Sequence, residues 1–313
     1  MRRCSTVFLA AVLGPALIGP AEANLQLRDL RNDTAAPIVV TGERPTRAQA
    51  RARAASFVRE VGIARGDTAA ARWTDPVCPR VLGIAQPYSG IVEERMREIA
   101  RAAGMLVAPA GCRTNVSVSF VGDAAGLMRE IDRRSPTRLQ EVPRNERDAM
   151  LNGDAPVRWW YLTETRSRHR MRNAAQSVRT QQGGGGTGGR SQESSPTMEL
   201  ESLSEYNSSI ISTFGARTII DANVVVDLDR AEGRSLQAVA AYAAFVSFAE
   251  VRPSERPPAG SILGMFGDET EARGLTDWDM AFLRALYQLP LDRPARRHRG
   301  LLVRDMVNYQ TGG

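Results

Sequence analysis

The chain of 313 residues contains no lysine, two histidines (His169 and His298) and three cysteines (Cys4, Cys78 and Cys112). Each shortage removes a group of mechanisms. Without lysine there is no Walker-type phosphate loop, no Schiff-base nucleophile and no Ser-Lys dyad. A Gly-x-Ser-x-Gly elbow is also missing. Each histidine stands between arginines, in Arg168-His169-Arg170 and Arg297-His298-Arg299, the setting of a solvated imidazole. Two such residues leave no basis for a zinc site with several histidine ligands and argue against a Ser-His-Asp triad. No Cys-x-x-Cys pair is present, which removes thioredoxin-like redox chemistry.

The amino terminus carries a different kind of signal. Arg2 and Arg3 form a basic start, Val7 to Ile18 an apolar run, and Ala21-Glu22-Ala23 a small-residue exit before Asn24. This order predicts a secretory signal over residues 1–23, cleaved near Ala23, and a periplasmic or secreted protein. A retained anchor is the alternative, but the run is short for a membrane span. Cys4 precedes the apolar run and is not placed as a lipoprotein acceptor. No later stretch is long and apolar enough to span a bilayer, so no stable span is expected after cleavage. An oxidising compartment invites one bridge, Cys78–Cys112, with two buried free thiols as the alternative. Closing a loop of about 35 residues would stabilise by ~3–4 kcal/mol.

The net charge of +6 comes from arginine alone. It gathers in Arg44 to Arg59, Arg166 to Arg179 and Arg293 to Arg304. One reading is attraction to an acidic partner such as a phosphate-bearing membrane surface. The other is a coding bias that replaces lysine throughout. Outside the cytoplasm, nucleic acid is not an expected partner.

Periodicity divides the chain after the signal. Residues 24–71 read as a polar tether with a short strand and a helix. The helix runs from Thr46 to Val61, with Ala50, Ala54, Phe57, Val58 and Val61 on one face. The short strand, Ile38 to Arg44, resembles the Val-Val-Thr-Gly stretch near the start of TonB-dependent outer-membrane receptors, which would make it a handle for a TonB-type partner. Residues 72–165 read as the first half of a folded domain. The predicted elements are a strand over Val77 to Ile84, a helix capped by Ser89 and stopped at Gly104, and a strand over Asn115 to Val121. A helix capped by Asp123, a short helix around Asn145 to Leu151 and a strand over Val157 to Thr163 follow. Residues 166–200 hold the tract Gly183-Gly184-Gly185-Gly186 and read as a flexible loop. It joins two neighbouring strands of one sheet or, alternatively, links two domains. Residues 201–292 form the second half, with an apolar strand over Arg217 to Leu228. Ser235 opens a helix to Ala249 that is apolar nearly all round, so that helix belongs inside a core. Thr276 and Asp279 form a capping box for a helix carrying Trp278, Phe282, Leu286 and Leu289. Residues 293–313 read as a basic tail. The fold class expected is α+β, a mixed sheet packed by helices.

Carboxylates are the remaining chemistry. Asp227 and Asp229 follow the apolar strand in an Asp-x-Asp spacing that suits a hard cation, or serves a strand-end turn. Glu164 follows Trp159-Trp160-Tyr161, a carboxylate near aromatic side chains that would suit a sugar, or an acid–base role. The competing reading makes the tryptophans core residues.

A resemblance appears in residues 215–290. Strand, helix, Ser261-Ile262-Leu263, then Leu275-Thr276-x-x-Asp279 and Leu283-x-x-Leu286-Tyr287 resemble the end of a zincin metallopeptidase. Those enzymes follow a His-Glu-x-x-His helix with Ser-Ile-Met, Leu-Thr/Ser-x-x-Asp and Leu-Tyr. A family of secreted proteobacterial proteins keeps this order with eroded metal ligands, and the chain is similar to it. Where the ligands would stand, the helix has Ala241-Tyr242-Ala243-Ala244-Phe245. The resemblance therefore implies a zincin-like part with a central buried helix, but no metal ligand, cofactor or general base. Unpaired histidine or glutamate at buried positions would cost stability once the metal is lost. The function expected is a non-catalytic binding module for a peptide, a cell-wall component or another envelope protein. A carboxylate-based hydrolase using Asp227, Asp229 or Glu164, and a structural envelope protein, are the alternatives.

Overall fold

The computed structural model describes residues 45–167, 215–253, 256–267, 273–290 and 293–312. The expected signal segment, the Ile38 to Arg44 run, His169 and the glycine tract lie outside the described residues. In the described residues, seven α-helices and a four-stranded mixed sheet make an α+β fold. They belong to one unit, Arg44–Gly313.

Short side-chain caps start several helices. Thr46 and Gln49 form a capping box for α1 (Arg47–Val61). Its predicted face, Ala50, Ala54, Phe57, Val58 and Val61, is buried as a set. Strand β1 (Pro79–Leu82) leads to α2 (Tyr88–Ala102). Here the expected cap fails. The helix starts at Tyr88 after Pro87, and Ser89 is already inside its first turn and buried. Proline tolerates a helix start because the first amides have no intrahelical partner. Strand β2 (Val116–Val121) alternates buried and half-buried residues. Asp123 then accepts from the Gly126 amide at 2.7 Å and opens α3 (Ala124–Arg134). Helix α4 (Arg144–Asn152) precedes the long antiparallel pair β3 (Val157–Ser167) and β4 (Gly215–Asp227). Ser235 caps α5 (Leu236–Phe248) through the Ala238 amide. The fold closes with α6 (Asp277–Gln288) and α7 (Ala295–Thr311).

The sheet order is β1-β2-β4-β3. β1, β2 and β4 run parallel and β3 runs antiparallel on the edge. The two strands on either side of residues 168–214 are therefore neighbours in one sheet, and Arg166 and Ser167, expected in the loop, belong to β3. Period-2 alternation sends each strand's residues to two faces. Val118, Phe120, Trp159 and Val224 join α1, α2, α5, α6 and α7 in the main core. Trp160 and Val225 meet Met128 of α3, Leu139 and Met150 of α4 in a smaller cluster on the other face. All eleven residues from Ala238 to Phe248 are buried, so α5 is wrapped by protein on every side.

The carboxyl-terminal segment departs from expectation. Residues 295–311 are helical rather than a tail, and Ala295, His298, Leu302 and Met306 dock on the core at roughly four-residue intervals. Arginines at the intervening positions hide that stripe in the sequence.

Candidate binding cleft

Tyr242 lies in the middle of α5, and the strand nearest it supplies Trp159. The two rings meet edge to face with centroids 6.1 Å apart. Phe266 packs on the other side of Tyr242 at 5.3 Å, also edge-on. The Trp159 indole is fixed by donating from Nε1 to the Val251 carbonyl at 2.9 Å. Tyr161, two residues on and on the same face, acts as a hub. Its hydroxyl lies 2.5 Å from the Val246 carbonyl and 2.8 Å from that of Ala249, and it accepts from the Val251 amide at 3.1 Å. These bonds tie the end of α5 to β3 and place the turn that follows.

A cavity of about 410 Å³ opens where β3 begins, between α4 and the segment after α5. Trp159, Tyr242, Leu263 and Phe266 give it an aromatic and aliphatic wall. Polar groups stand at its margin. The Arg252 guanidinium lies 3.4 Å from Glu146, and both residues line the cavity. Arg158 is buried, and its guanidinium donates to the carbonyls of Met150, Ala155 and Gly153. Burial lowers its pKa, an effect opposed by the negative charge of Asp227.

Tyr242 is 6% exposed, and burial raises its phenol pKa well above the ordinary value. Its hydroxyl has no hydrogen-bond partner among the described residues, whereas Tyr161 and Tyr287 each bond to backbone. The hydroxyl is not among the fully enclosed polar atoms that lack a partner, which are Arg72 Nε and Trp160 Nε1 among the described residues, so it keeps some open space beside it. Tyr242 lines the cavity, so a group that enters there meets this side chain.

The edge of β3 borders the same cavity. Asp227 donates its amide to Pro156, which marks the 156/227 position as hydrogen-bonded. Antiparallel alternation then turns the main-chain groups of Arg158 and Trp160 toward β4 and those of Val157, Trp159 and Tyr161 outward. Among the described residues, no backbone bond beyond the strand reaches Trp159 or Tyr161. Further along, Glu141 closes the edge by accepting from the Thr163 amide and hydroxyl at 2.7 and 2.8 Å.

The carboxylates singled out from the sequence do not converge. Asp227 is 4% exposed and serves the backbone, accepting from the Ala124 amide at 3.2 Å and the Arg230 amide at 3.1 Å. Asp229 is exposed. Glu164 sits opposite Thr218 at the other end of the ladder and pairs with Arg166. Nine residue steps of extended strand from Thr218 to Asp227 span about 30 Å. Trp159 and Trp160 lie on opposite faces of the sheet, so they form no stacked patch beside Glu164. Among the described residues, no group of three or more His, Cys, Asp or Glu could hold a metal ion.

Other expectations resolve locally. Cys78 and Cys112 form a disulfide with Cα atoms 6.1 Å apart. No described helix is long and apolar enough to cross a membrane. His298 is not solvated: it is 1% exposed, its Nδ1 accepts from the Ala70 amide at 3.1 Å, and its Nε2 lies 3.0 Å from the Arg293 carbonyl. Asp279 does more than close a capping box. It accepts from the Ser261 hydroxyl at 2.6 Å, the Ile262 amide at 2.8 Å, and the amide and hydroxyl of Thr276 at 2.9 Å each. That carboxylate locks the 261–264 turn, and with it Leu263 and Phe266, against α6.

Comparison with family models, curated proteins and solved structures gave no match for this chain.

Proposed function

We propose that the chain is an exported, non-catalytic binding module on a degenerate metallopeptidase-like fold, and that its cleft takes an extended peptide segment of another envelope protein. One observation carries the reading. Tyr242, in the stretch of α5 where a peptidase would hold its metal ligands, lines a cavity beside an edge strand, and its hydroxyl has no partner among the described residues.

An extended peptide suits such a place. It adds to the outward main-chain groups of β3 while alternate side chains enter the aromatic pocket. The antiparallel edge strand and the buried α5 beneath the sheet are compatible with the zincin-like resemblance. Export is supported by the Cys78–Cys112 disulfide, since such bonds persist in oxidising compartments. The carboxylate-hydrolase reading has less support, because both oxygens of Asp227 are committed to backbone amides and Glu164 stands at the far end of the sheet.

A melting-shift screen of the full chain against extended peptides of alternating apolar side chains tests the proposal. A peptide present at about a hundred times its Kd adds about 2.7 kcal/mol of stability. A binding module shows such a shift for some sequences. A structural protein shows none for any of them.

A further inference from the structure

A second concave surface lies between α1 and α7. Arg47 reaches Asn308 at 3.4 Å and Arg299 reaches the Ile63 carbonyl at 3.4 Å, so the two helices run antiparallel. They enclose a groove of about 940 Å³, larger than the cleft beside Tyr242. Its rim carries Arg47, Arg51, Arg59, Arg299 and Arg304, and no carboxylate lines it among the described residues. Arg304 is paired with Asp305 at 2.7 Å. No carboxylate of the described residues pairs with Arg47, Arg51 or Arg299.

The groove floor has helical spacing. Between the arginines, the lining positions on α1 are 48, 55 and 58, and on α7 they are 300, 303 and 307. These steps of three, four and seven residues follow the helical repeat, the seam that one helix offers another. The floor residues are small or β-branched, with Val58, Val303 and Val307 the largest. Arg47 to Arg59 spans about 18 Å of helix, a little over three turns.

We propose that this groove docks an amphipathic helix with acidic flanks, supplied by a partner protein. The apolar face of that helix lies on the valine and alanine floor as a third helix beside α1 and α7. Its glutamate or aspartate flanks meet the two arginine rims. A single anionic headgroup would use one or two arginines and leave the seam unexplained. The site is separate from the cleft beside Tyr242 and does not depend on what binds there.

The test is fluorescence anisotropy of the full chain with a labelled helical peptide of about 18 residues, with alanine and leucine on one face and glutamate on both flanks. A matched peptide carries glutamine at the flanks. The account expects the glutamate peptide to bind at least about tenfold tighter at low salt, with the difference shrinking at about 0.5 M salt. The Arg51→Glu/Arg299→Glu variant loses that preference and binds a lysine-flanked peptide instead, which also shows that it is folded. Equal binding of the two original peptides, or no binding, overturns the proposal. So does binding of phosphatidylglycerol vesicles in place of the peptide, self-association abolished by the same double variant, or occlusion relieved only by deleting residues 24–43.

Discussion

Trp159 of the edge strand stands edge-on to Tyr242 of the central helix, with the ring planes at 71°. This contact brings together a stretch of edge strand with outward main-chain groups and the stretch of helix where the resemblance would place metal ligands. Edge-to-face pairs contribute about 0.5–1.5 kcal/mol beyond burial. The pair thus holds the wall of the cleft, and the Tyr242 hydroxyl has no partner among the described residues.

Removing that hydroxyl separates folding from binding. Tyr242→Phe keeps the ring and deletes only a group with no partner among the described residues. Its unfolding free energy, measured in urea, stays within about 0.5 kcal/mol of the parent or rises. Its affinity for a cleft-binding peptide falls by about three- to tenfold. A loss of about 2 kcal/mol in stability would mean that the hydroxyl serves the fold.

Asp279 is expected to behave in the opposite way. Burial pushes its carboxyl above the usual range, and the four donors around it work against that rise. Asp279→Ala leaves the Ser261 hydroxyl and the Ile262 amide buried without an acceptor, at a cost of about 3–5 kcal/mol. Chemical denaturation gives the number. Ser261→Ala removes one donor alone and costs about 1–2 kcal/mol.

Much of this framework was legible in the residues. Asp123, Ser235 and Thr276 act as helix caps because capping is local chemistry, settled by a side chain and an amide two or three positions away. The all-round burial of α5 followed from its lack of a polar face. The α1 stripe was visible because alanine and phenylalanine recur at helical spacing. The α7 stripe was not, because arginine fills the positions between its buried residues and the flanks of His298 read as solvated. The cleft was legible only in part. Tyr242 was identifiable from the resemblance, but Phe266, Leu263 and Arg252 reach it through long-range packing that no local pattern encodes. The spacing of Asp227 to Asp229 suits a ligand pair because it cannot reveal that the Ala124 amide, over a hundred residues away, already uses Asp227.

His298 makes stability depend on pH. Burial lowers its pKa most, the bond to the Arg293 carbonyl opposes this, and the Arg72 charge lowers it further. The Ala70 amide requires an unprotonated Nδ1. With the folded pKa below the unfolded value of about 6.5, the unfolded chain takes up the proton first. The contribution is full above about pH 6.5 and is lost as pH falls through the folded pKa. Urea midpoints at about pH 7.5 and about pH 5 should show the parent losing more stability than His298→Asn over that interval. Equal losses would place the imidazole in solvent.

The disulfide makes two claims that chemistry can check. Unfolded, unreduced protein from the native envelope fraction should show no free thiol at Cys78 or Cys112. The Cys78→Ser/Cys112→Ser variant should lose ~3–4 kcal/mol, the loop-closure value for a bridge across 34 positions. Two titratable thiols would contradict both the bridge and export.

The most direct measurement is a calorimetric titration of the full chain, with chelator present, against the peptide that shifts its melting most. It is repeated on Ala149→Trp, which places an indole in the mouth of the cavity from an exposed position of α4. The account predicts binding without any metal by the parent, and a loss of at least about tenfold in the variant with unchanged unfolding free energy. Binding that vanishes with chelator, or that is equal in parent and variant, would contradict a metal-independent cleft beside Tyr242.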